Sequence, residues 1–417
     1  MSDHGAGFQT ERGSRRMRIR ALAALAIAAW PSVAAAAPGD PVAIGNATLD
    51  PIFAARLRHE GVDQAGTPDD AEALTFRARA GAELEVDGFS ILAEGEGTLA
   101  LNGDYNDTLP GNGIEPFPLV ADPESLELNR LQVSYLQDGT GITVGRQRII
   151  LGNARFVGNS GWRQNEQTFD AVRGQAKVGP VLLDATYAVS QRTVFGADSP
   201  NERFGGDFVL LSGGIDLPVV DAEAFAYLID YDTRIAFSSQ TYGVSARAEV
   251  DLSAAAQLDA RLSYARQSNY GANPVAYDAE YWHAELGFRL LGVALTAGQE
   301  RLGSDGGAAA FQTPLATLHA FNGWADQFGT TPAAGLRDSY ARVGRSFGVP
   351  FLPGLKADLT YHKFESDFGG LDYGSEWDAS VGFELGRVGL LAKYANYQAD
   401  AFASDTEKFW LQAEISF

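Results

Sequence analysis

The 417-residue chain has no cysteine and only 2 methionines. Without cysteine there are no disulfides, no Cys-ligated zinc, no Fe–S cluster and no thiol nucleophile. Few methionines means little of the adaptable filler common in globular cores. Basic residues are in deficit, 32 Lys and Arg against 53 Asp and Glu, for a formal charge of -21. So acidic a chain lacks the surface that binds a phosphate backbone, which excludes nucleic acid as a partner. Apolar runs long enough for a membrane-spanning helix are also missing, and mean hydropathy is -0.12 although 45% of residues are hydrophobic. A membrane β-barrel survives that test, because alternating polar and apolar residues cancel in any average. Catalytic constellations are absent too. There is no HExxH, no G-x-S-x-G and no phosphate loop. His283 and His362 fall on polar faces, where they read as lumen residues rather than catalysts. The chain therefore reads as no enzyme, with no cofactor and no metal site.

What is present begins with an address. Arg12, Arg15, Arg16, Arg18 and Arg20 precede an apolar stretch from Ala21 to Trp30, then small residues to Ala37. This order is that of a secretory signal peptide over residues 1–36, cleaved after Ala34-x-Ala36. The apolar stretch is too short to serve as an anchor. The exported chain keeps 27 basic and 51 acidic side chains, net -24. Residues 37–50 then form a periplasmic N-terminal segment and 51–417 a single barrel domain.

The barrel reading rests on period-two alternation. From Ser375 to Leu385, Trp377, Ala379, Val381, Phe383 and Leu385 share one face, while Glu376, Asp378, Ser380 and Glu384 share the other. Thr241 to Leu252 and Leu74 to Asp87 repeat the pattern. A strand puts such apolar residues on one side, where a helix would scatter them. About eighteen such segments (16–18) run from near 51–60 to 407–417, among them 140–150, 207–217, 221–232 and 375–385. Tight turns such as Asp87-Gly88, Asp138-Gly139 and Gly386-Arg387 alternate with longer loops at 103–124, 151–166, 194–206 and 302–335. The fold class expected is therefore all-β, a transmembrane antiparallel barrel of the bacterial outer membrane, with both termini on the short-turn side. Outer-membrane lipid and lipopolysaccharide are its surroundings.

A soluble β-sandwich would bury the apolar faces against a second sheet. These segments are long for a sandwich, and their apolar faces mix small residues with aromatics, as a lipid-facing wall does. Tyr187, Tyr227, Tyr231, Tyr264, Trp282, Tyr361 and Trp377 are assigned to that wall, several near strand ends where interfacial girdles lie. In the last segment Phe409, Leu411, Ala413, Ile415 and Phe417 alternate with polar residues. A terminal Phe417 ending an alternating strand is the expected signal to the barrel assembly machinery.

If apolar faces meet lipid, polar faces line the lumen. Parity then turns Arg56, Arg58, Arg77, Arg79, Arg130, Arg173, Arg247, Arg261, Arg289 and Arg342 inward, with Lys177, Lys356 and Lys393. Acids crowd the loops: Asp63, Asp69, Asp70, Asp104, Asp107, Glu115, Asp122, Asp367 and Asp372. Two readings stay open. Guanidinium groups favour carboxylate and phosphate, giving an anion-preferring pore. Alternatively the inward acids Glu83, Glu85, Glu94, Glu96, Asp184, Asp259 and Glu384 pair with the arginines as structural ladders.

Two segments resemble the alginate export outer-membrane proteins. One is Gly145-Arg146-Gln147-Arg148, followed by Trp162-Arg163-Gln164-Asn165 and Thr168-Phe169-Asp170-Ala171-Val172-Arg173. The other is Phe311-Gln312-Thr313-Pro314-Leu315-Ala316-Thr317-Leu318, followed by Phe321-Asn322-Gly323-Trp324-Ala325-Asp326. The resemblance implies an 18-stranded monomeric barrel with an arginine-lined pore for polyuronate. It adds Arg146, Arg148, Arg155, Trp162, Arg163 and Asp170 to the substrate-facing set. Phe311, Leu318, Phe321, Trp324 and Asp326, in loop 302–335, are expected either to constrict the pore or to cap it. Ile142 and Val144 share parity with Arg146, so a bulge must shift the register or the strand starts apolar inside. The function expected is a passive channel for anionic or sugar solutes, with uronate/alginate-type saccharides as candidates; the alternative is a general non-selective porin or structural barrel.

Overall fold

The computed structural model describes residues 40–109 and 116–417. The signal peptide and the rim acid Glu115 lie outside the described residues. The strands are β1 (Val42–Ile44), β2 (Ala47–Gln64), β3 (Ala71–Val86), β4 (Phe89–Ala100), β5 (Ser125–Gln137), β6 (Thr140–Gln147) and β7 (Thr168–Val178). They continue with β8 (Val181–Arg192), β9 (Arg203–Asp216), β10 (Val220–Tyr231), β11 (Ser239–Ser253), β12 (Ala256–Asn269), β13 (Asp278–Leu290) and β14 (Val293–Leu302). A small hairpin of β15 (Ser304–Asp305) and β16 (Ala309–Ala310) precedes β17 (Leu336–Ser346), β18 (Lys356–Glu365), β19 (Asp372–Leu385), β20 (Val388–Ala399) and β21 (Thr406–Ser416).

Each long strand pairs antiparallel with its sequence neighbours, and β2 pairs with β21 from Ala54↔Ser416 to Gln64↔Thr406. That pairing closes an 18-stranded barrel, and β1 adds a short hairpin to the start of β2. Closure matters because lipid offers no hydrogen bonds to an open edge. The last residue takes part: Phe417 and Phe53 exchange backbone bonds of 2.8 and 3.3 Å, and their rings stack at 5.6 Å.

All eighteen expected segments become barrel strands, with shifted ends. β2 starts at Ala47, inside the segment assigned to the periplasm. β6 stops at Gln147 and β9 begins at Arg203, so the loops there run 148–167 and 193–202. On the outer wall Leu126, Val133, Leu183, Val244, Leu262, Leu286, Leu295 and Trp377 are exposed, the surface a lipid bilayer covers. Two aromatics assigned to that wall face the other way. Tyr227 and Tyr231 share parity with Phe225 and Ile229, and all four are buried inside the barrel. β10 is apolar on both faces because lipid covers one and inserted loops cover the other, a case in which alternation loses its contrast.

Candidate functional site

Two long loops, 148–167 and 303–335, fold into the lumen and meet there. Val157 bridges Leu315, and Gly158 N–H donates to the Leu315 carbonyl at 2.8 Å. Phe156 wedges between Phe225 (4.9 Å between ring centroids), Tyr281 (5.1 Å) and Phe311 (6.0 Å). The inward aromatics of β10 and β13 thus provide the apolar seat. Beside it Arg155 reaches Glu300 on β14 at 2.6 Å, with Thr313 and Asn322 on its other donors and the Phe321 ring 4.8 Å from its carbon. Burial works against the Arg155 charge, but Glu300 more than offsets it and raises the pKa.

The opposite wall, β2 and β3, carries a guanidinium cluster. Arg56 and Arg77 stand directly across from each other and share one carboxylate, Glu414, at 3.1 and 2.9 Å. Like charges in facing positions repel. Arg79 pairs with Glu96 and lies 3.6 Å from Glu166. Nε and Nη1 of Arg77 and Nη2 of Arg79 meet no acceptor among the described residues. Loop 148–167 rests on this cluster: the Trp162 carbonyl accepts from Arg56 at 3.0 Å and from Arg58 at 2.5 Å, and the Arg58 guanidinium lies 4.0 Å over the indole. Arg163 joins three parts of the structure, Glu60 at 3.2 Å, Asp326 at 2.8 Å and Asp122 at 3.9 Å. Burial opposes its charge, yet these three carboxylates raise its pKa. Glu166 is likewise buried, but Arg79 and Arg148 hold it at about 2.

A lysine cage locks loop 303–335 in place. Lys393 Nζ, from β20, sits 4.0 Å from the Trp162 ring centre and 3.7 Å from that of Trp324, and donates to His319 Nε2 at 2.6 Å. Lysine has only donors, so His319 is neutral with its proton on Nδ1, which Asp326 accepts at 2.9 Å. His319 stacks flat on Trp162 at 4.6 Å. Burial and the Lys393 charge outweigh Asp326 and lower the His319 pKa to about 3. Burial would raise Asp326, but the His319 N–H, Lys408 and Arg163 hold it well below the usual range. Glu376 and Asp378 of β19 then accept the backbone N–H groups of Ala325 (2.7 Å) and Trp324 (3.3 Å).

The sequence-assigned residues separate into groups. Arg77, Arg79 and Arg130 face inward, Arg130 on Glu94 at 2.8 Å. Arg148 turns in to Glu166 just after β6 ends. Arg155, Trp162 and Arg163 are in the lumen. Phe311, Phe321, Trp324 and Asp326 join them on loop 303–335, while Leu318 stays partly exposed at 36%. Arg173, Arg247, Arg261, Arg289 and Arg342 line the wall elsewhere. Arg146 is the exception. It shares a face with Ile142 and Val144, which are 47% exposed, and stands opposite Leu131 and Asp170 in the ladder. Its 2.8 Å bond to Asp170 lies on the outer wall, and so does Asp170. No bulge occurs within β6 to turn it inward. The bulges lie on the neighbours, where Asn129 of β5 and Val189 of β8 are the extra residues. Sequence reasoning placed Glu376 on the polar face without a role, and missed the inward Glu300, Trp410 and the role of His319. Parity marked the first three, but which of them meets a loop depends on how the loops fold.

Where the loops leave space, a cavity of about 650 Å³ remains against β7–β12, below Ile150–Asn153. Arg173, Arg247 and Arg261 line it, with Asp184, Asp221 and Glu223 and the hydroxyls of Ser212, Ser245 and Ser263. Arg173 pairs with Asp184 at 2.6 Å and Arg247 with Asp259 at 2.9 Å. Arg261 stands directly opposite Arg247 and has no ion pair among the described residues. Among the described residues no cluster of His, Cys, Asp and Glu could hold a metal ion.

The family model for alginate export matches residues 64–296, more than half of the chain. The chain belongs to the alginate export family. Its members are outer-membrane β-barrels, which places this alginate export family protein in the bacterial outer membrane as a porin-like barrel. No curated protein matches it in sequence. Solved structures match its fold. OpdO of Pseudomonas aeruginosa aligns with TM-score 0.68 at 18% identity, covering 88% of this chain and 97% of that one. OccAB3 of Acinetobacter baumannii aligns at 0.69 and 15%, covering 88% and 99%. OccK2 (OpdF) of Pseudomonas aeruginosa, solved in complex with glucuronate, aligns at 0.66 and 15%, covering 88% and 98%.

Proposed function

We propose that this barrel is a passive, selective channel for uronate-type sugar acids. The observation that carries the reading is Arg261. Its guanidinium faces the 650 Å³ cavity without an ion pair among the described residues, between Glu285 on one neighbouring strand and, on the other, a second arginine whose charge is already neutralised. Two like charges in register cost stability, which a ladder built only for strength avoids. A sugar acid needs one cation for its carboxylate and several hydrogen-bonding groups for its hydroxyls. Arg261 supplies the first, in bidentate geometry. Ser212, Ser245, Ser263, Asp221 and Glu223 supply the others, as hydroxyls and acceptor carboxylates. The reading agrees with the family's name and with the glucuronate bound to OccK2. It departs from a uniformly arginine-lined pore, because most lumen arginines are spent on carboxylates.

The test is solute uptake by liposomes carrying the refolded barrel. Glucuronate should enter faster than glucose of similar size, and Arg261→Ser should reduce glucuronate uptake about tenfold, the effect of one lost charge-assisted pair, while sparing glucose. Equal uptake of both sugars by the unaltered barrel returns the protein to the class of general porins.

A further inference from the structure

We propose that Glu376 and Asp378, buried under the tip of loop 303–335, share one proton, and that this proton latches the loop in the lumen. Both stand on the inward face of β19, 0% and 1% exposed. One oxygen of each accepts a loop N–H, Glu376 Oε1 from Ala325 at 2.7 Å and Asp378 Oδ2 from Trp324 at 3.3 Å. The other two, Glu376 Oε2 and Asp378 Oδ1, are buried and meet no donor among the described residues. The two carboxyl groups instead hydrogen-bond each other. Ionised carboxylates only accept, so this bond requires a proton on one of them.

The surrounding charges leave the same remainder. Arg163 and Lys408 reach Asp326 at 2.8 and 3.3 Å, and Arg163 also holds Glu60. Arg58 holds Asp122. From β18, His362 gives Nδ1 to Asp338 of β17 at 2.9 Å and turns Nε2 to Asp378 at 3.6 Å. His319 is neutral, and the Tyr397 hydroxyl of β20 is bonded to the carbonyls of Tyr373 and Phe402. Lys393 of β20 is then the cation left among the described residues for Glu376 and Asp378 together. One charge stays unmatched, and one proton cancels it. The proton belongs on Glu376 Oε2, donated to Asp378 Oδ1, because His362 and Lys393 both favour a charge on Asp378, whereas Asp326 opposes one on Glu376.

The loop covers this bond. Gly323 crosses Glu376 with φ +83°, and a Cβ there would lie 2.3 Å from Oε2. Backbone so close leaves a proton, rather than a hydrated cation, to separate the two acids. Without it, two like charges meet where water does not solvate them, and the loop supplies two N–H donors for four oxygens. A released loop lets both carboxylates ionise in water. The docked state therefore holds one proton more than the released state, and docking weakens as pH rises through the alkaline range. Losing the Lys393 charge acts in the same direction, so the test removes the acid and leaves the lysine.

The experiment compares the full refolded barrel with Glu376→Gln. The amide still accepts from Ala325 and donates to Asp378, but it does not titrate. Infrared difference spectra on alkalinisation should show the unaltered barrel losing one protonated-carboxyl band that the variant never has. Proteolysis within 303–335 should run at least about fivefold faster at about pH 10 than at about pH 7 in the unaltered barrel, and the variant should move that onset up by at least about one pH unit. Gly323→Ala, whose Cβ strikes Glu376, should release the loop at every pH, while heat-modifiable electrophoretic mobility shows that the barrel itself is folded. The proposal is overturned if no variant-sensitive carboxyl band appears, if the unaltered loop stays docked at alkaline pH, or if Glu376→Gln releases it at the unaltered pH. It is equally overturned if release follows the identity of the metal cation in the buffer instead of pH, since a bound cation then takes the proton's place.

Discussion

Arg163 and Arg261 are one residue type in two settings of the same lumen: Arg163 is tied to carboxylates, and Arg261 is the residue the proposed function assigns to the solute. Arg163 satisfies Glu60, Asp326 and, at longer range, Asp122, and Glu60 is 1% exposed. Removing one partner of a buried pair leaves its carboxylate stranded, at about 3–5 kcal/mol. Arg163→Ala should therefore free both inserted loops, seen as faster proteolysis within 148–167 and 303–335 and a noisier open channel. Arg163→Lys should rescue little, because an ammonium does not span carboxylates on both of its sides. Arg261 has no such debt. Arg261→Ser should leave thermal stability within about 0.5 kcal/mol while changing solute preference. If Arg261→Ser unfolds the barrel, the residue is structural and the sugar-acid reading loses its support.

At the scale of elements, loop 303–335 is held by a neutral histidine, which makes its docking sensitive to acid. His319 titrates at about 3 when docked and near the ordinary imidazole value of 6.5 when released. The released loop therefore binds the proton more readily, and docking weakens as pH falls below 6.5, continuing down toward 3. Glu166 acts in the same direction lower on the scale. Its pKa is about 2 when buried against 4.5 when free, so its contribution is complete above 4.5 and is lost as pH falls toward 2. Conductance should accordingly rise or grow noisier on acidification from pH 7 to 5, and His319→Gln should flatten that profile. A profile unchanged in the variant would assign the pH response to another group. Deleting 311–326 should enlarge conductance several-fold at every pH, because the segment occupies the lumen. The strands themselves were legible in the sequence: each stands between lipid and a polar interior, and period two records that contrast. It failed on β10, where Tyr227 and Tyr231 sit against Phe156 and its neighbours instead of lipid.

For the whole molecule, stability depends on the β2–β21 pairing that removes both sheet edges. Leu411 lies on the lipid face of β21, opposite His59. Leu411→Pro deletes a ladder donor and strands its acceptor, which should cost about 1–3 kcal/mol. It should abolish the heat-modifiable folded band, whereas Leu411→Ala should keep it. Comparable folded yield from both variants would mean that the seam contributes little.

The sequence alone determined the class of fold, the number of strands, which connections are short, and the inward parity of most lumen arginines. Those properties are local: a side chain's face follows from its place in an alternation, and alternation is written along the chain. It also singled out Trp162 for the substrate-facing set and Trp324 and Asp326 for the constriction-or-cap loop, and only the structure brings the three together around Lys393 and His319. Only the tertiary structure decided where Arg146 points, since β6 carries no bulge and keeps its apolar parity through that residue. It alone showed that Arg56 and Arg77 share Glu414, residues more than 330 positions apart, and that Lys393 lies between two indoles. Which arginine is neutralised and which stays free depends on partners brought together by barrel closure and by loops folding inward. Such pairings are set by distance in space, and a linear pattern of charges does not contain them.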